Sequence, residues 1–182
     1  GKTTLLNRLI GRYREHRLGV IVNDFGPLAV DAALVRARHG GLARIVEVAN
    51  GSIFCSCLAG DFLEGLAVCA RARPEAVLVE TSGLSDPTNI HTLLRYQPEV
   101  REAFRLRNVL CLLDAESFSD LYETVAAVRR QLEASDIAIL NKTDRVDAPE
   151  LERARRMIRE CNPRALLVES RYADIDLGLV ER

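Results

Sequence analysis

Short apolar runs alternate along this chain with longer stretches whose apolar residues recur every three or four positions. The runs lie at 18–22, 42–48, 76–79, 109–113, 137–140 and 165–168, and each predicts a buried strand. Between them, Leu5, Leu6, Leu9 and Ile10 are spaced for a helix ending near His16. Residues 58–72 and 117–134 repeat that spacing, and Pro149 stands where the first turn of a helix running to about Cys161 tolerates it. Strands that are apolar at nearly every position are covered on both faces. The expected fold is therefore α/β, a mostly parallel sheet flanked by helices. Ligands of such sheets bind beyond the carboxyl ends of the strands. Here those ends carry Asn23-Asp24, Glu80-Thr81, Asp114 and Asn141-Lys142.

Composition narrows the class. In 182 residues, 25 Lys and Arg balance 26 Asp and Glu, a net charge of −1. General nucleic-acid or anionic-membrane binding would need a basic excess, so neither is expected. No apolar run approaches the roughly 18 residues of a membrane span, and no basic-then-apolar leader opens the sequence. Five cysteines are an odd number, and only Cys55 and Cys57 are close in sequence. That usage predicts a reducing, cytoplasmic setting, with Cys69, Cys111 and Cys161 structural.

Gly1-Lys2-Thr3-Thr4 matches the last half of the phosphate-loop pattern G-x-x-x-x-G-K-[ST]. The sequence is thus expected to start inside the motif, without the first strand and the start of the loop, so that residues 1–182 are one nucleotide-binding domain. Gly1 and Thr4 would add backbone N–H groups to the phosphate cradle. Lys2 would reach the β and γ phosphates, and Thr3 would give its hydroxyl to Mg²⁺. Asn141-Lys142-Thr143-Asp144, directly after a buried strand, matches the N-K-x-D pattern that reads guanine. A carboxylate at Asp144 accepts from both N1–H and the 2-amino group, donors that adenine lacks on that edge. Lys142 would lay its stem along the base, and Asn141 would tie the base to the loop. GTP is the nucleotide expected. After the strand at 76–79, Glu80 would reach Mg²⁺ through water, and the Gly83 N–H would sense the γ phosphate. Lys2 would stabilise developing charge, while Glu80 and Asp24 are the candidates for orienting water, Asp24 from a first switch loop.

The segment from Glu47 to Cys57 adds a second chemistry. In an extended loop Cys55 and Cys57 point the same way and suit a soft or borderline ion; Glu47, Cys69, His39 or water could complete a tetrahedral set. In these residues the chain resembles the CobW family of P-loop GTPases, itself similar to the nickel-insertion GTPases. The likeness is carried by Gly1 to Asn7, by Val22-Asn23-Asp24-Phe25-Gly26, and by Glu47 with Asn50-Gly51. It continues through Glu80-Thr81-Ser82-Gly83-Leu84-Ser85-Asp86-Pro87 and Leu113-Asp114-Ala115 to the N-K-x-D residues. The resemblance implies GTP hydrolysis coupled to handling a transition metal of zinc or cobalt type and delivering it to a client protein. The alternative is an assembly or activator GTPase whose cysteine loop docks a client without metal. The family usually carries N-G-C-x-C-C and a C-terminal domain. Here Asn50-Gly51 is followed by Ser52-Ile53-Phe54-Cys55-Ser56-Cys57, and no such domain is expected before Arg182. Residues 169–172 would cover the back of the base pocket.

Overall fold

The structure, a computed structural model, describes residues 1–22, 43–47, 59–83 and 85–181, with 43–47, 59 and 61 as backbone alone. Asp24, Cys55 and Cys57 lie outside the described residues. The chain forms two compact units, one of residues Leu6–Leu106, the other of Gly1–Leu5 with Arg107–Arg182. Among the described residues each holds a three-stranded sheet, and all four strand pairings are parallel, as the unbroken apolar runs require.

In the unit of Leu6–Leu106, β1 (Leu18–Val22) lies between β2 (Ala43–Glu47) and β3 (Ala76–Glu80). Helix α1 (Lys2–Arg12) places Leu6 and Ile10 one turn apart, and they pack on Leu18 and Val20. It stops short of the expected His16, whose amide closes a turn onto the Tyr13 carbonyl instead. Helix α2 (Ala59–Arg71) buries Phe62, Leu63, Leu66 and Cys69 on one face. Cys69 is fully buried where α2 meets β1. A Cβ on Gly19 would come within 3.1 Å of Val77 Cγ2 and 3.2 Å of Cys69 Sγ, so a larger residue here would press on both side chains.

Two helices here have no counterpart among the expected elements. They are α3 (Ile90–Tyr96) and α4 (Pro98–Ala103). Both are too short for periodicity to show, and they announce themselves through their starts. Pro98 opens α4, and Asp86 Oδ1 accepts from Thr88 N at 3.1 Å to cap the single turn Pro87–Asn89 that leads into α3.

In the other unit, β5 (Ile137–Asn141) lies between β4 (Leu110–Asp114) and β6 (Leu166–Ser170), and every β5 residue is buried. Its core joins Cys111, Leu113, Leu140 and Phe118 to Leu132, Ala154 and Ile158 from the helices. Helix α7 (Ala148–Cys161) starts as expected, with Pro149 in its first turn and Asp147 Oδ1 accepting from Glu150 N at 2.9 Å. At its end, Asn162 Nδ2 donates to the carbonyls of Leu132 and Ser135 at 2.8 and 2.9 Å, pinning the entry to β5.

The expected single helix over 117–134 is two, α5 (Phe118–Thr124) and α6 (Ala126–Glu133), split at an extended Val125. Two side chains take up backbone carbonyls at the break. Thr124 Oγ1 donates back to Asp120 O at 2.7 Å, and Arg129 Nε donates to Tyr122 O at 2.9 Å. Buried Phe118 and Leu132 keep both pieces on the core, so periodicity survives the break. No helix among the described residues is long and apolar enough to cross a membrane.

Candidate nucleotide site

Strand register builds the base-reading end. Asp114, Asn141 and Ser170 are paired across β4, β5 and β6 as one row at the carboxyl edge. Asn141 is buried, and its Oδ1 accepts from Ser170 Oγ at 3.0 Å and from Ala173 N at 2.8 Å. Its carbonyl accepts from Ala115 N at 2.9 Å. One side chain and one peptide group thus hold together the loops that follow all three strands. The loop after β6 is forced into shape by this anchoring, because Tyr172 and Ala173 both take left-handed backbone at φ 55° and 53°. Tyr172 is exposed, and Ala173 is fully buried beneath it.

Lys142 also has left-handed backbone, at φ 60°. The chain then turns through Thr143–Arg145, with Thr143 Oγ1 donating to Ser170 O at 3.3 Å and Asp144 exposed. The Lys142 ammonium pairs with Asp114 Oδ2, and with Glu116 Oε2 at 3.2 Å. Hydrogen bonds to Asp114 first, then Glu116, hold its pKa above the ordinary lysine value.

The phosphate-side residues belong to this same unit. A Cβ on Gly1 would lie 3.0 Å from Leu112 Cδ2 and 3.9 Å from Asn141 Nδ2, so the Gly1 backbone packs on the edge of β4 and β5. Lys2, Thr3 and Thr4 follow, exposed in the first turn of α1, and Leu5 N closes that turn onto Gly1 O at 3.0 Å. Helix N-termini of this kind present N–H groups and a positive dipole end to anions.

In the other unit, Glu47 and Glu80 end β2 and β3 at the positions paired with Val22 of β1. Glu80 is half-buried, and Gly83 sits exposed in a turn closed by Ser85 N on Ser82 O at 3.1 Å. The two serine hydroxyls of that turn are 2.9 Å apart. Among the described residues, no group of three or more His, Cys, Asp or Glu side chains could hold a metal ion. The motifs carry no role for Glu116 or Ala173, and Ser170 enters only within the 169–172 segment; in the structure Glu116 pairs with Lys142, while Ser170 and Ala173 hold Asn141. The signal for Ser170 is its place just beyond the last apolar run, at the polar end of β6.

Residues 1–169 match the profile of the CobW/HypB/UreG nucleotide-binding domain. The chain belongs to that family. Among its relatives are the zinc chaperone CobW of Pseudomonas aeruginosa, 30% identical over 99% of this chain and 56% of that protein, and the zinc chaperone YeiR of Escherichia coli, 33% identical over 100% of this chain and 55% of that protein. The Zn(II)-bound YjiA GTPase of E. coli superposes with a TM-score of 0.71 at 24% identity, covering 99% of this chain and 57% of that one, a likeness of fold. The chain spans about half the length of the curated relatives it matches. As expected from its motifs, it has the P-loop GTPase fold of this family.

Proposed function

We propose that the protein binds and hydrolyses GTP and couples its nucleotide state to handling a transition metal, zinc being the cargo favoured by its relatives' names. The observation that carries the nucleotide reading is the preassembled N-K-x-D loop, with Asn141 buried and holding the neighbouring loop beside Gly1. Asp144 would accept from guanine N1–H and the 2-amino group, Lys142 would lie along the base, and Gly1 to Thr4 would receive the phosphates. Hydrolysis adds water to the γ-phosphorus and breaks its bond to the bridging oxygen, releasing GDP and phosphate. Lys2 would stabilise the charge that collects on that oxygen, the Gly83 N–H would face the γ phosphate, and Asp24 or Glu80 would orient water.

Thr3 and Glu80 offer the hard oxygen donors that Mg²⁺ takes, and Thr3 is exposed beside Lys2 where such an ion would sit on the phosphates. When bound, Mg²⁺ would neutralise phosphate charge. For the cargo metal, Cys55 and Cys57 offer thiolates and Glu47 a carboxylate, a donor set suited to zinc. A client metalloprotein would receive it.

The test uses the full-length protein. Asp144→Asn should weaken GDP at least tenfold and bind XDP better than wild type, because xanthine carries an acceptor where guanine has its amino group. Zinc affinity, read by competition with a chromophoric chelator, should differ between GTP and GDP and fall in Cys55→Ser/Cys57→Ser. Equal GDP affinity in wild type and Asp144→Asn overturns the nucleotide reading. Equal zinc affinity in all states and variants overturns the metal reading.

A further inference from the structure

The lysine of the base-reading loop is held by a pair of carboxylates that the N-K-x-D pattern does not contain. Asp114 ends β4 in direct register with Asn141, and Glu116 stands two residues on in the same loop. Lys142 Nζ is paired with both, and Arg145 Nη1 approaches the same Glu116 Oε2 at 3.7 Å. The loop carrying the carboxylates is itself fixed. Glu116 N donates to Asp114 Oδ1 at 3.2 Å, Ser117 N to Asp114 O at 3.1 Å, and Ala115 N to Asn141 O at 2.9 Å.

We infer that Asp114, assisted by Glu116, is a positioning residue that anchors the Lys142 ammonium and so lays the lysine stem in place for the base before nucleotide arrives. The inference rests on the guanine-site reading above. Three features point to it. A flexible four-carbon stem loses rotamer freedom when it packs on a ligand, and fixing its far end beforehand removes part of that loss. Left-handed backbone at a residue other than glycine persists only where its surroundings hold it, and this ion pair bridges Lys142 to the neighbouring strand end. The set is also charge-balanced. Two carboxylates face Lys142 and Arg145, so the clamp adds no net negative charge beside a phosphate-bearing ligand.

Acting through the stem, Asp114 has no part in distinguishing one purine edge from another. Asp144 does. The two residues therefore separate experimentally. Affinities of the full-length protein for GDP and for IDP, which lacks the 2-amino group, are measured by calorimetry. Asp114→Asn should weaken both by the same factor, roughly fivefold, the upper end for a partly exposed ion pair. Asp114→Glu, which keeps the charge, should recover most of the loss. Asp144→Asn should weaken GDP more than IDP. In a Lys142→Met background, which keeps an aliphatic stem without the charge, Asp114→Asn should have no effect on either nucleotide.

The same fivefold loss in the Lys142→Met background overturns the clamp, as does a loss that differs between GDP and IDP. A loss accompanied by a fall in melting temperature that Asp114→Glu does not reverse also overturns it, since that marks a structural role. Wild-type protein that binds no guanine nucleotide sinks the guanine site and the clamp together; additive mutations in a protein that binds GDP sink the clamp alone.

Discussion

Asn141 is the residue on which the candidate site depends most, and its removal has a magnitude that can be worked out. Its Oδ1 accepts from Ser170 Oγ at 3.0 Å and Ala173 N at 2.8 Å, and all three residues are buried. Asn141→Ala leaves the Ala173 N–H in the interior without that acceptor, which costs about 1–3 kcal/mol. The Ser170 hydroxyl is a rotor and can turn toward another acceptor, so its net loss is about 0.5–1.5 kcal/mol. Together the variant should lose about 2–4 kcal/mol, or roughly 5–15 °C in melting temperature for a chain of this size. Ser170→Ala keeps the Ala173 bond and should lose only about 1 kcal/mol. Urea unfolding ranks the two. Hydrogen exchange at the Ala173 amide gives the local readout, with protection lost in Asn141→Ala and retained in Ser170→Ala. If Asn141→Ala unfolds within about 0.5 kcal/mol of wild type while the Ala173 amide stays protected, the anchoring argument fails.

Gly19→Ala should destabilise the unit of Leu6–Leu106 by about 1–3 kcal/mol through overpacking against Val77 and Cys69, and adding Cys69→Ala should recover part of that; full additivity of the two in urea melts refutes it. Arg155 grips Glu169 with two bonds, Nε to Oε1 at 2.6 Å and Nη2 to Oε2 at 2.9 Å, holding the carboxyl below its ordinary value near 4.5. A depressed folded-state pKa contributes stability above pH 4.5 that is lost as pH falls through the folded value, so wild type should lose more melting temperature between pH 7 and pH 3 than Glu169→Gln. Parallel pH profiles would remove that assignment. Burial pushes the Cys111 thiol up to about 12, so native protein at pH 8 should leave Cys111 unmodified by iodoacetamide while unfolded protein alkylates it; mass spectrometry of the digested protein decides.

The strands were legible because most are apolar at almost every position, and five of the six end in a polar residue, β1 ending in Val22. All six observed strands lie within a residue or two of the expected runs, and β5 is buried at every position while β6 leaves Leu166 and Glu169 exposed. Helices were legible only where they are long. The pair α3 and α4 has too few turns to repeat, and Pro98 at the start of α4 and the Asp86-capped turn at Pro87 ahead of α3 were the signs available. The break at Val125 was invisible because it arises from Thr124 and Arg129 side chains bonding to the backbone, while apolar spacing continues through it. The motif residues Gly1 to Thr4 and Asn141 to Asp144 were found by type and spacing, and they belong to one unit of the fold. What spacing cannot express is support from distant strands. Ser170 and Glu116 matter only because β5 lies between β6 and β4, a neighbour relation that no local window contains.

The row of Asp114, Asn141 and Ser170 has a consequence for how such a chain can change over time. Side chains alternate faces along a strand, so deleting one residue inside β4, β5 or β6 would replace a member of the row with a neighbour facing the other way. Beyond the few residues that follow each strand end, the segments between the strands carry no such constraint, because length added there leaves the register untouched. Insertions and deletions should therefore accumulate in the helical connections and at helix breaks such as Val125, while the strands keep a constant length. The site is inherited as an alignment of three strand ends with the loop residues next to them, and the surface segments farther along the chain are free to diverge around it.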